Sequence, residues 1–218
     1  NPKEVVTFAR RFLKGLSSAK VLGCGKHFPG LGEANLDTHK EFPSIRKPWK
    51  ALWEQDLYPF RELKNILPMM MVSHAGYPEI DDAPASLSRK WITGILRKKI
   101  GYEGLVLSDD LEMGGVLTAG SIEDVAIETL QAGADIFLVC NKEDLVWRGY
   151  EAVLQRAERD RKFERLVNHA AERVLRFKKK AREVKSFAAA PDETTVARLR
   201  ENMQKFTQLV EARTRTNA

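Results

Sequence analysis

A chain of 218 residues, 43% apolar and 30% charged with 14 Gly and 9 Pro, can bury a sizeable core and is neither collagen-like, low-complexity nor wholly disordered. The formal charge of +6 is unevenly placed: residues 1–150 carry 19 Lys+Arg against 20 Asp+Glu, and residues 151–218 carry 17 against 10. The basic excess therefore belongs to a charged tail that reads as a solvated face, so no nucleic-acid partner is expected, and no apolar run approaches the ~20 residues of a membrane span.

Residues 5–16 have the spacing of an amphipathic helix and lead into an apolar run at 21–24, the first predicted strand. A helix is predicted over 49–63 and a buried strand over 69–73. Ser88 caps a helix reaching Ile100, with Gly101 as its stop. Residues 105–108 form the next strand, and Ser121 with Asp124 resembles a capping box opening a helix that runs to Ala132. Residues 136–139 supply a fourth strand. This alternation, with strands apolar on both faces, predicts a parallel sheet covered by helices over residues 1–143.

Residues 144–218 contain no strand candidate. They are expected to form a closing helix and a basic helical extension. One amphipathic helix spans 164–185, with Leu166, Ala170, Val174 and Phe177 on its stripe. After a break at 188–191, a second spans 194–213 with Val196, Leu199, Met203, Phe206 and Val210 on its apolar face. Cys24 and Cys140 sit in apolar runs and are expected as buried free thiols, with no zinc spacing around them. The start, Asn1-Pro2-Lys3-Glu4, has neither an initiator Met nor a signal-like apolar region and reads as cut from something longer.

Polar residues gather where predicted strands end, and in parallel α/β sheets such positions converge on one crevice. Lys26 and His27 open KHFPGLG (residues 26–32), whose Pro29 and glycines force a turn. They can donate to ligand hydroxyls, or be one surface Lys and one core His. Asp37 and His39, two apart in an extended loop, suit a carboxylate orienting an imidazole for acid/base work, a loop-stabilising pair or half a metal site. The absence of HExxH-like spacing disfavours metal, and no cofactor is expected. Asp109 and Asp110 end the third strand and can serve as a nucleophile, a helix cap or ligands to a hard cation. His74 ends the second strand as a ligand contact or a satisfied rim histidine.

Five segments together resemble the β-N-acetylglucosaminidase branch of glycoside hydrolase family 3: KHFPGLG (26–32), DTHKEFP (37–43), DLYPF (56–60), MVSHAGYPEIDDAPASL (71–87) and GLVLSDDLEMGG (104–115). The resemblance implies the C-terminal part of a (β/α)8 TIM-type barrel with about four parallel strands, plus the helical extension. It further implies a retaining hydrolase acting on terminal β-linked N-acetylglucosamine in peptidoglycan recycling. Asp109 would be the nucleophile, His39 held by Asp37 the acid/base, and Lys26, His27 and His74 the substrate contacts.

Leu31 departs from the family's usual polar residue, commonly His. About four earlier strands, bringing a sugar-binding Asp and Arg, have no counterpart. The chain alone is therefore expected to be weakly active or inactive. It is expected to complete its barrel as part of a longer chain, through an N-terminal partner or by self-association, because open sheet edges are unstable. The other readings are a non-catalytic carbohydrate-binding or assembly module and a phosphorylase that uses phosphate in place of water. Free thiols and the recycling likeness give a cytoplasmic expectation.

Overall fold

The computed structural model describes residues 1–32, 43–181 and 190–216. Asn1 begins the first helix, α1 (Pro2–Ser18): its side chain accepts from the Lys3 and Glu4 amides, and Glu4 reciprocates as a capping box. Pro2 fits the first turn, where its missing N–H is not needed. The helix thus starts before the residues whose apolar spacing announces it, because spacing reports the packed face and not the cap.

Four strands follow: β1 (Cys24–Phe28), β2 (Met69–Val72), β3 (Leu105–Asp110) and β4 (Ile136–Leu138). They form one parallel sheet in the order β1-β2-β3-β4, the α/β arrangement predicted from the alternating periods. The register pairs Phe28 with Val72 and Val72 with Ser108, which levels the carboxyl ends of three neighbouring strands. Among the described residues, β1 and β4 each have one strand neighbour.

The first strand lies later than the apolar run suggests. Residues 21–23 are outside the sheet and Val21 is exposed. Backbone pairing to β2 selects Cys24–Phe28 instead. Lys26 and His27 therefore belong to the strand itself, and Asp109 and Asp110 likewise extend β3 beyond its predicted end. The Lys26–His27 and Phe28–Pro29 peptide bonds are cis.

The predicted helix over 49–63 is divided. α2 (Trp49–Ala51) passes through a π-helical stretch, Leu52–Asp56, into α3 (Tyr58–Leu63). Pro59 lies in the first turn of α3 and has no N–H for an unbroken ladder. The next helical stretch, Lys90–Lys99, has π geometry; Ser88 Oγ accepts from the Trp91 amide at 3.1 Å, and Gly101 beyond the end has φ +75°. Trp91 is fully buried, edge-on to both Phe28 and Tyr77, and anchors the core under β1–β3.

α4 (Gly114–Leu117) and α5 (Ile122–Ala132) follow β3, the latter opened by the reciprocal Ser121–Asp124 capping box. Gly133 ends α5 with φ +113°, and an added Cβ would lie 2.5 Å from Thr93 Oγ1, which donates to the Ala132 carbonyl. Gly133→Ala is expected to lower unfolding free energy by about 1–3 kcal/mol in chemical denaturation, combining backbone strain with displacement of Thr93. A loss below about 0.5 kcal/mol would refute this reading.

α6 (Glu143–Arg159) and α7 (Arg161–Lys180) complete the first unit, residues 1–183, packing with α5 around Leu130, Val153 and Phe163. Asp160 caps α7 by accepting from the Lys162 and Phe163 amides, so this helix begins earlier than predicted. Residues 182–189, within and after its predicted end, lie outside the described residues. In the second unit, α8 (Glu193–Thr216) has the predicted helical character, with Leu199, Met203, Phe206 and Leu209 exposed.

Both cysteines are free, but both are exposed, which corrects the expectation of buried thiols. Cys24 begins β1 and Cys140 lies in the loop after β4, so neither thiol is in the core, although Phe137 and Val139 of the second run pack against it. Among the described residues, no helix is long and apolar enough to cross a membrane.

Candidate active site

The level strand ends bring His27 of β1, His74 after β2 and Asp109 of β3 to one edge of the sheet. His27 Nε2 stands 3.6 Å from Asp109 Oδ2, with side-chain exposures of 28% and 20%. Both groups are thus packed on one side and reachable from solvent on the other. Lys26 is exposed, and with His27 it lines a cavity of about 440 Å³ against Phe8, Phe12, Leu13 and Phe60. Those walls are largely apolar, and the polar side of the site is where His27 meets Asp109.

The turn after β1 is seated on buried polar groups. Gly30 has φ +130°, and a Cβ there would lie 3.0 Å from Asp56 Cβ. Asp56 is ion-paired to Lys47 Nζ at 2.7 Å, both side chains largely buried. Tyr77 donates its hydroxyl to the Gly30 carbonyl at 2.5 Å, and burial pushes the phenol pKa up, which keeps that proton in place. DLYPF and the segment after β2 therefore act through the KHFPGLG turn.

The three carboxylates after β3 have different duties. Glu112 accepts from the amides of Cys140, Asn141 and Lys142, fastening the loop between β4 and α6. Asp110 Oδ1 accepts from the amides of Glu112 and Cys140. Asp109 Oδ1 accepts from the Asp110 amide at 2.9 Å, while Oδ2 faces His27. Asp110 Oδ1 and both oxygens of Glu112 are held by backbone amides. Asp109 Oδ2 is the carboxylate oxygen that stands beside the partly exposed His27.

His74 is 3% exposed, with Nδ1 2.7 Å from Ser86 Oγ and Nε2 3.0 Å from the Asp110 carbonyl. Burial moves its pKa below the ordinary 6.5, outweighing the nearby Asp109 and Asp110 charges. The unfolded state then takes up a proton that the native state resists. Stability contributed by neutral His74 is full above about pH 6.5 and declines as pH falls toward the lowered native value. Replacing His74 by Gln is expected to flatten the pH dependence of the thermal midpoint below that pH; an unchanged slope would rule His74 out as its source.

Asp37 and His39 lie at positions 33–42, outside the described residues. Ser86, Tyr77, Asp56 with Lys47, and Glu112 were not identifiable as site supports from spacing. Each meets its partner only through tertiary packing, although Glu112, two residues after Asp110, carries a weak local signal.

The profile of the Glycosyl hydrolase family 3 N terminal domain matches residues 1–177. A beta-hexosaminidase of Bordetella avium is 42% identical over 146 residues, covering 66% of this chain and 42% of the relative. The crystal structure of the β-N-acetylglucosaminidase from Thermotoga maritima superposes with a TM-score of 0.76 at 34% identity, over 84% of this chain and 40% of that one. A family 3 β-N-acetylglucosaminidase from Paenibacillus gives 0.77 at 30% identity, over 83% and 35%. The chain spans about two fifths of the length of such relatives.

Proposed function

This chain belongs to glycosyl hydrolase family 3, and on that footing we propose that it carries the nucleophile and acid/base residues of a retaining β-N-acetylglucosaminidase. The observation supporting this most directly is the division of labour after β3: Asp110 and Glu112 hold backbone amides, while Asp109 keeps Oδ2 toward His27 and the partly open side. The substrate class is a saccharide ending in β-linked N-acetylglucosamine, released from cell-wall material. The hexosaminidase and N-acetylglucosaminidase names of the relatives support the sugar.

In the first step, Asp109 Oδ2 bonds to the anomeric carbon as the bond to the aglycone oxygen breaks. That oxygen takes a proton from His39, oriented by Asp37. In the second step, water gives a proton to His39 and its oxygen displaces Asp109, restoring both residues. A neutral imidazole after the first step does not repel the carboxylate being released. Lys26 and His27 donate to sugar hydroxyls, and His74 supports the site from beneath. Further parallel strands, from a longer form of the same chain, an N-terminal partner or a second copy, would complete the barrel beside β1 and β4, each of which has one strand neighbour among the described residues.

The test is to incubate the full chain with a fluorinated N-acetylglucosaminyl donor and map adducts by peptide mass spectrometry. Slow labelling of Asp109 is the expected result, in keeping with the weak activity expected of a chain that carries part of the sugar site. Sugar binding without any adduct would favour the non-catalytic module and overturn the proposal.

A further inference from the structure

A carbonyl oxygen can only accept a hydrogen bond, so the 3.0 Å contact fixes His74 as donor through Nε2–H to Asp110. Nδ1 then carries the lone pair, and the Ser86 hydroxyl donates to it at 2.7 Å. Beyond the ring, the amide of the same Asp110 donates to Asp109 Oδ1 at 2.9 Å. The Asp110 side chain is meanwhile held by the amides of Glu112 and Cys140. Residue 110 is thereby fastened at its carbonyl, its amide and its carboxylate, and its amide sets which oxygen Asp109 turns toward His27.

We propose that His74 is a positioning residue: a buried strut from β2 to β3, set in one tautomer by Ser86, that fixes Asp110 and through it the orientation of the Asp109 carboxylate. His74 touches no substrate in this role. A sugar-contacting histidine needs a ring nitrogen directed at ligand, whereas both of these are occupied by protein. Ser86 is fully buried beside it, so the pair is walled off from the solvent-reached side of Asp109. The geometric part stands independently of function, and the catalytic consequence rests on Asp109 being the nucleophile.

Two conservative variants separate positioning from packing. The Gln amide reaches where Nε2 stands, and the Asn amide reaches only as far as Nδ1. In the full chain, followed by NMR-detected hydrogen exchange, His74→Asn is expected to speed exchange of the Asp110 amide by about tenfold through loss of one restraining hydrogen bond. His74→Gln should leave it unchanged, and the Val106 and Leu107 amides should be unaffected in both. Fluorinated-donor labelling of Asp109 should slow by about tenfold in His74→Asn and recover in His74→Gln.

If His74→Asn does not fold, Ser86→Ala supplies the test, with an expected acceleration of about threefold at Asp110 from loss of ring anchoring. Equal exchange in the Asn and Gln variants overturns the strut, as does a wild-type rate in Ser86→Ala. Exchange that follows the strut pattern while no variant, nor the unsubstituted chain, labels at Asp109 upholds the strut and rejects the nucleophile assignment.

Discussion

Asp109→Asn is expected to abolish covalent capture of a fluorinated N-acetylglucosaminyl donor and to lower any turnover by on the order of 10⁴-fold or more, as removal of a nucleophile does. The substitution is nearly isosteric. The amide oxygen still accepts from the Asp110 N–H, so the strand end keeps its shape and the loss reports chemistry. Asp110→Asn is the informative companion. Its side chain works by accepting from the Glu112 and Cys140 amides, a task the amide oxygen can continue. Labelling at Asp109 should therefore persist in that variant. If Asp109→Asn still labels, or if Asp110→Asn alone loses label, the two carboxylates have been assigned the wrong way round.

The largest stability effect is expected at Asp135, ahead of β4. Its carboxylate has no exposed side-chain surface and accepts from Arg97 Nη2 at 2.6 Å, Arg173 Nε at 2.5 Å and the Val106 amide at 2.8 Å. One acidic group thus ties the Lys90–Lys99 helical stretch, β3 and α7 together. Asp135→Ala leaves two guanidinium groups beside a vacated acceptor, a situation that costs about 3–5 kcal/mol when fully buried. The Arg97 and Arg173 side chains are 18% and 38% exposed, and water offsets part of the loss. About 3 kcal/mol is the expected decrease, a large fraction of a typical domain's stability. Asp135→Asn keeps an acceptor for Val106 and should fall between. Urea unfolding measures both, and a decrease below about 1 kcal/mol for alanine would show the cluster to be dispensable.

Helices were legible where their caps are local. Ser121 with Asp124, and Ser88 before Trp91, are short-range hydrogen bonds written into consecutive residues. Strand ends were less legible, because pairing depends on a neighbour far along the chain. Residues 21–24 are apolar enough to suggest a strand, yet the partner of Met69 is Cys24 and pairing runs forward to Phe28. The same limit applied to the cysteines: an apolar neighbourhood in sequence placed neither thiol in the core.

For the site, the sequence by itself determined which chemical groups stand at the strand ends: His27, His74, Asp109 and Asp110 close or directly follow the apolar runs, and periodicity is a one-dimensional property. Only the tertiary structure decided what each does. Asp110, Glu112 and His74 are drawn into hydrogen bonds with backbone or with Ser86, whereas Asp109 keeps one oxygen beside His27. The physical reason is that the great majority of buried polar groups are hydrogen-bonded where the fold places them. That requirement selects among identical carboxylates by their surroundings, which are assembled from residues as distant as Ser86 and Cys140.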